Sequence, residues 1–119
     1  MKPNASESAP MGDTIQVVLC TCPDESVAQS LAGTLVARRL AACVNIVPAV
    51  QSVYRWQDEV MEDTEALMVI KSNKENFAAL QQAIADLHPY EVPEVLAMDA
   101  PRGSRAYQRW LLSCLAPEV

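Results

Sequence analysis

The stretch ACVNIVPAVQSVYRW, residues Ala42–Trp56, is apolar on both of the faces that a strand presents. Side chains alternate along a strand, so Val44, Ile46 and Val50 share one side and Val47 and Val53 the other. A single domain of 119 residues does not carry enough helix to cover both faces of such a sheet. The simplest remedy is oligomerisation through the sheet. Pro48 lies within the run and cannot donate to a ladder, so the strand needs a bulge or a free edge there.

The remaining pattern fixes what this strand belongs to. Thr14–Thr21 is a short β-branched apolar run and reads as a strand. Pro23–Glu25 carries the proline and acids of a helix start. Val27, Leu31 and Leu35, with Ala28, Ala32, Val36 and Leu40, then form a wide apolar stripe to about residue 40. The return strand is Glu65–Lys71, unbroken and apolar. Ser72 and Glu75 have the spacing of a capping box for a second helix, with Phe77, Leu80, Ile84 and Leu87 on one face. Pro89 disfavours helical geometry at His88 and stops that helix. Glu94–Asp99 is a short strand. Ser104 caps a last helix whose expected buried face is Tyr107, Trp110, Leu111 and Cys114. The order β-α-β-β-α-β plus a C-terminal helix predicts an α+β, ferredoxin-like sandwich with helices on one face of an antiparallel sheet. Residues 1–12, polar and rich in serine and proline, are expected to be a disordered tail, with one domain over residues 13–119.

Composition excludes several functions. The formal charge of −6 repels phosphate backbones, so neither nucleic acid nor an anionic membrane is an expected partner. No apolar run reaches the roughly 20 residues of a membrane span, and the N-terminus lacks the apolar stretch of a secretory leader. A cytoplasmic location is therefore expected, with Cys20, Cys22, Cys43 and Cys114 reduced. Three glycines provide no phosphate-cradling loop, no hydrolase, zincin or P-loop motif occurs, and no organic cofactor or enzymatic activity is expected.

The segments RRLAACVNIVPAVQSVYRW, EALMVIK, HPYEVPEV and YQRWLLSCL, in this order over roughly residues 14–115, resemble the CutA family of divalent-cation tolerance proteins. The resemblance implies a cytoplasmic homotrimer of ferredoxin-like subunits, similar in design to PII signalling proteins. It also implies a link to tolerance of copper and other divalent cations. Two positions depart from the family pattern. Asp58 stands where many members carry a hairpin glycine, and Leu87 stands where a second histidine would precede His88. By the resemblance, Cys20 and His88 match proposed metal ligands, for copper or another divalent cation.

Each candidate also has a structural reading. Cys20 and Cys22, two apart on a strand, put both sulfurs on one face, yet cysteine is often a small buried hydrophobe. Only Cys20 gains from the resemblance; Cys43 and Cys114 read as core. His88, the single histidine, is a copper or zinc ligand or else a favourable last-turn residue at the helix end. With one thiolate and one imidazole, a third donor must come from Glu91, Glu94, a neighbouring subunit or water. Tyr54, Trp56 and Trp110 read as subunit packing anchors. Lys71 reads as snorkelling or ion-paired. Tyr90 and Glu94, with Lys71, are the residues through which an intersubunit cleft would take an unknown small ligand or protein partner, the alternative to metal binding.

Overall fold

The computed structural model describes residues 14–117, so the tail expected at residues 1–12 lies outside the described residues. In chain order the elements are β1 (Ile15–Cys22), α1 (Glu25–Ala37), β2 (Cys43–Trp56), β3 (Glu59–Asn73), α2 (Phe77–Leu87), β4 (Leu96–Asp99) and α3 (Arg105–Ser113). The strands form a sheet in the order β2-β3-β1-β4, with every pairing antiparallel. β3 and β1 are the inner strands, and the fold is α+β with three helices among the described residues.

The register sorts side chains to the two faces. Val18, Cys20 and Cys22 of β1 share a face with Ile70, Met68 and Ala66 of β3, their direct cross-strand partners. Against this face pack Ala28, Leu31, Ala32 and Leu35 of α1 and Leu80, Ala83 and Ile84 of α2, which together make the main core. The opposite face carries Val17 and Leu19 of β1, paired with Val69, Lys71, Leu96 and Met98 or their neighbours. Those inner-strand residues are half-buried, but Leu96 is 61% exposed and Met98 49%. α1 and α2 thus cover one side of the sheet and leave an apolar surface on the other, as the two-sided pattern of β2 requires. A second, smaller cluster joins Leu111 and Leu115 to Ile15 and Ala42, and it anchors α3 at one end of the sheet.

Capping explains where the helices stop. Asp24 is extended and its carboxylate accepts from the Val27 amide at 2.8 Å, with Glu25 in the first turn. α1 ends at Ala37, short of Leu40, because Arg39 turns left-handed at φ 59°. The Leu40 amide then reaches back to the Leu35 carbonyl at 3.0 Å and the Arg39 amide to Val36, a Schellman closure.

The capping box expected at Ser72 and Glu75 does not form. β3 runs on to Asn73, because Ile15 at the start of β1 pairs with it. Ser72 is buried and its hydroxyl donates to the Leu40 carbonyl at 2.6 Å. The loop before α2 is held by the Asn73 side chain instead, which accepts from the Asn76 amide at 3.0 Å. Leu87, expected on the buried stripe, is 44% exposed, because the buried face of α2 is made by Leu80, Ala83 and Ile84. Tyr107 and Trp110 also face outward, stacked on each other at 5.5 Å, while Gln108 and Leu111 are buried. Ser104 caps α3 as expected, accepting from the Tyr107 amide.

β2 and β3 extend past the helices as a long two-stranded arm. The ladder slips between Val47 and Val50, which places the bulge at Pro48. At the tip, Gln57 and Asp58 connect the strands with φ of 49° and 67°. Two successive positive φ values are those of a type I′ turn, whose favoured second residue is glycine. Replacing Asp58 by glycine relieves the left-handed strain. Asp58→Gly is expected to raise the unfolding free energy by about 0.5–1 kcal/mol, read as a higher urea midpoint at unchanged slope.

Candidate functional site

The site lies where β1 runs out of a partner. β4 pairs with β1 only up to Leu19, so the chain from Cys20 to Cys22 lacks that neighbour. His88, just past the end of α2, fills part of the gap. Its Nε2 lies 2.7 Å from the Thr21 carbonyl oxygen, and its Nδ1 accepts from the Tyr90 amide at 3.0 Å. These two bonds fix the neutral tautomer with the proton on Nε2, donating to Thr21. The Tyr90 ring leans on the imidazole at 4.8 Å. His88 is therefore a buried staple that ties the end of α2 to an edge carbonyl of β1.

This staple brings three soft donors together. One ligand atom each from Cys20, Cys22 and His88 lies within 4.8 Å of the others, and all three residues are buried. The alternation along β1 accounts for it, because residues 20 and 22 both point to the helix-covered face, where His88 ends α2. The two thiols are free. The Cys20 thiol is pushed far above its ordinary range by its hydrogen bond to Cys22, by burial and by the carboxylates of Glu94 and Glu65. The Cys22 sulfur receives that hydrogen bond and is drawn down by it, against the effect of burial. Of the two thiols, Cys20 thus holds its proton the more firmly.

The donor set fits a soft or borderline cation. Thiolate and imidazole are the ligands of copper and zinc, and the nearby carboxylates favour a positive charge. The fit is better at the two sulfurs than at the imidazole. Both His88 nitrogens have backbone partners at 2.7 and 3.0 Å, whereas the thiols have only their bond to each other and a long contact from the Cys20 Sγ to the Thr21 carbonyl at 3.8 Å. The sequence pairs Cys20 with His88 and leaves a third donor to Glu91, Glu94, a neighbouring subunit or water; the structure brings the Cys22 sulfur within 4.8 Å of both. The signal was the i, i+2 spacing, which already placed both sulfurs on one face.

A groove of about 990 Å³ opens beside this cluster, between the β2–β3 arm and the segment after α2. Tyr54, Trp56, Tyr90 and Glu94 line it together, with Thr21, Glu65 and Glu91. The Tyr90 hydroxyl donates to the buried Glu65 carboxylate at 2.7 Å, and the Tyr54 hydroxyl donates to Asp63. Glu65 was legible only as the start of a strand, because nothing local in the sequence reveals its partner 25 residues on. Lys71 and Trp110 are not in the groove. Lys71 lies on the open sheet face, in the row of Val17 and Cys43, and donates to the Asn45 side chain. Trp110 sits on α3 against Tyr107.

A sheet with one helix-covered face, a long hairpin arm and a cysteine–histidine cluster at the end of β1 describes an α+β domain of the kind found in cation-tolerance proteins. The model of the family described as "CutA1 divalent ion tolerance protein" matches residues 16–114. The chain belongs to that family. The divalent-cation tolerance protein CutA of Thermus thermophilus is 50% identical over 96 residues, 81% of this chain and 93% of that protein. Protein CutA of Mus musculus is 39% identical over 109 residues, and there the match spans 92% of this chain but 62% of the mouse protein. The solved structure of the Thermus thermophilus divalent cation tolerance protein superposes with a TM-score of 0.84 at 47% identity, covering 86% of this chain and 99% of that one.

Burial against the groove wall and the bond to Glu65 push the Tyr90 phenol well above its ordinary value near 10. Above pH ~10 the unfolded chain therefore loses this proton before the folded one, and stability falls as pH rises. In Tyr90→Phe that contribution is absent. Urea unfolding under reducing conditions between pH ~9.5 and ~11.5 is expected to show a shallower decline for the variant than for the wild type.

Proposed function

We propose that the chain acts in divalent-cation tolerance as a homotrimer of ferredoxin-like subunits that binds copper or another divalent cation weakly in the cytoplasm. The observation that carries the metal reading is the buried set of Cys20, Cys22 and His88 within 4.8 Å, in a member of a family described by divalent ion tolerance. Cys20 and Cys22 would hold the ion as thiolates, and His88 would have to release Thr21 or Tyr90 to join them. When bound, the ion would replace the thiol protons and tie β1 to the end of α2. Because thiols and imidazole must be deprotonated to ligate, affinity is expected to weaken as pH falls. The homotrimer reading rests on the apolar open face of the sheet, with exposed Leu96 and Met98. Calorimetric titration with copper of the wild type and of Cys20→Ser/His88→Ala tests the metal reading. A loss of at least tenfold in affinity is expected in the variant, and equal affinity would sink it.

The groove favours a second reading, a PII-like module that takes a small ligand or partner between subunits. Its support is the joint presence of Tyr54, Trp56, Tyr90 and Glu94 around about 990 Å³. A thermal-shift screen of metabolites is expected to give a hit that Tyr90→Ala abolishes; a screen with no hit counts against this reading.

A further inference from the structure

The three donors of the cluster are not equivalent. Cys20 and Cys22 stand on the same face of one strand, so their sulfurs are held by a single rigid backbone segment. The sulfurs are less than 4.8 Å apart, a span one ion can cover with metal–sulfur bonds of about 2.3 Å. Both residues are fully buried among apolar side chains of the main core, surroundings that offer few oxygen ligands for a larger coordination shell. The third potential donor is committed elsewhere, with Nε2 on the Thr21 carbonyl and Nδ1 on the Tyr90 amide.

We propose that Cys20 and Cys22 form a two-sulfur site selective for Cu(I), and that His88 acts as a positioning residue rather than a ligand. This rests on the reading of the chain as a cation-tolerance protein and narrows it to one ion and one pair of atoms. Soft thiolates favour Cu(I), which is content with few ligands, over divalent ions that need three or more. A buried two-sulfur site offers those divalent ions too few ligands. Loading breaks two S–H bonds and forms two Cu–S bonds; both protons leave to buffer and no electron moves. Thr21 and Pro89, chain neighbours of the three donors, line the groove with Tyr90, so its wall is one residue from the cluster. His88 contributes by fixing the end of α2 over the β1 edge that carries both sulfurs.

The test is anaerobic competition of Cu(I) against a chromophoric Cu(I) chelator, with near-ultraviolet thiolate–copper absorption and proton release as further readouts. Wild type, Cys20→Ala, Cys22→Ala, His88→Asn and Cys43→Ala/Cys114→Ala are compared, each checked for native circular dichroism. One Cu(I) per chain and about two protons released are expected for the wild type. Cys20→Ala and Cys22→Ala should each weaken binding at least 100-fold and lose the absorption band. His88→Asn should change affinity less than tenfold, and the Cys43/Cys114 variant should not change it. Unchanged Cu(I) affinity in Cys22→Ala, or a loss in His88→Asn as large as in Cys22→Ala, overturns this inference alone. Tighter binding of Cu(II) than Cu(I) by the wild type also overturns it while leaving the tolerance reading standing. Binding of neither ion sinks both.

Discussion

Everything in this molecule follows from a sheet that is apolar on both sides. The helices α1 and α2 resolve one side by burying Leu35, Leu80 and Ile84 against Val18, Met68 and Ile70. At about 25 cal/mol per Å² of apolar surface, burial of this kind is the main favourable term that a small domain has. The other side stays open, with Val17, Leu19 and Val69 half-covered and Leu96 and Met98 bare. A surface like this is costly in water and is the ground for the proposed self-association. The exposed edge of β2 and the arm it forms with β3 add further apolar surface at Val53, Trp56 and Val60.

The site is a by-product of the same geometry. β4 is short, so β1 projects past it, and its last carbonyl groups need partners. His88 meets that need at Thr21 because Pro89 stops α2 there and turns the chain across the strand. The alternation that sends Val18 into the core also sends Cys20 and Cys22 to the spot under His88. A structural staple and a cluster of soft donors thus arise from one set of constraints, and the proposed function uses what the fold has already assembled.

Much of this was legible in the sequence where the governing physics is local. Element order, the bulge at Pro48, the Ser104 cap and the stop at His88 all depend on a residue and its near neighbours. The resemblance carried by HPYEVPEV and its companions named the family correctly. The misses were decided by distant pairing. Glu59–Thr64 has no apolar run of its own and becomes strand only because β2 lies beside it. Ser72 fits a capping box, but the ladder to Ile15 claims that stretch for β3. Leu87, Tyr107 and Trp110 sit at helical spacings that fit a buried face, yet no other element reaches over them. For the site, Cys20 and His88 were legible as candidates and Cys22 as a second sulfur on the same face, whereas Glu65 emerged only when the turn after α2 brought Tyr90 to it.

In the proposed trimer the open sheet face is covered by other copies of the chain, and the folded subunit does not persist alone. Sedimentation velocity on a fluorescently labelled sample, diluted stepwise from micromolar to low nanomolar, tests it most directly. One species of three times the chain mass is expected throughout, with any loss of that species accompanied by loss of circular dichroism measured under the same conditions. A folded species of single-chain mass at any point in the series would contradict it.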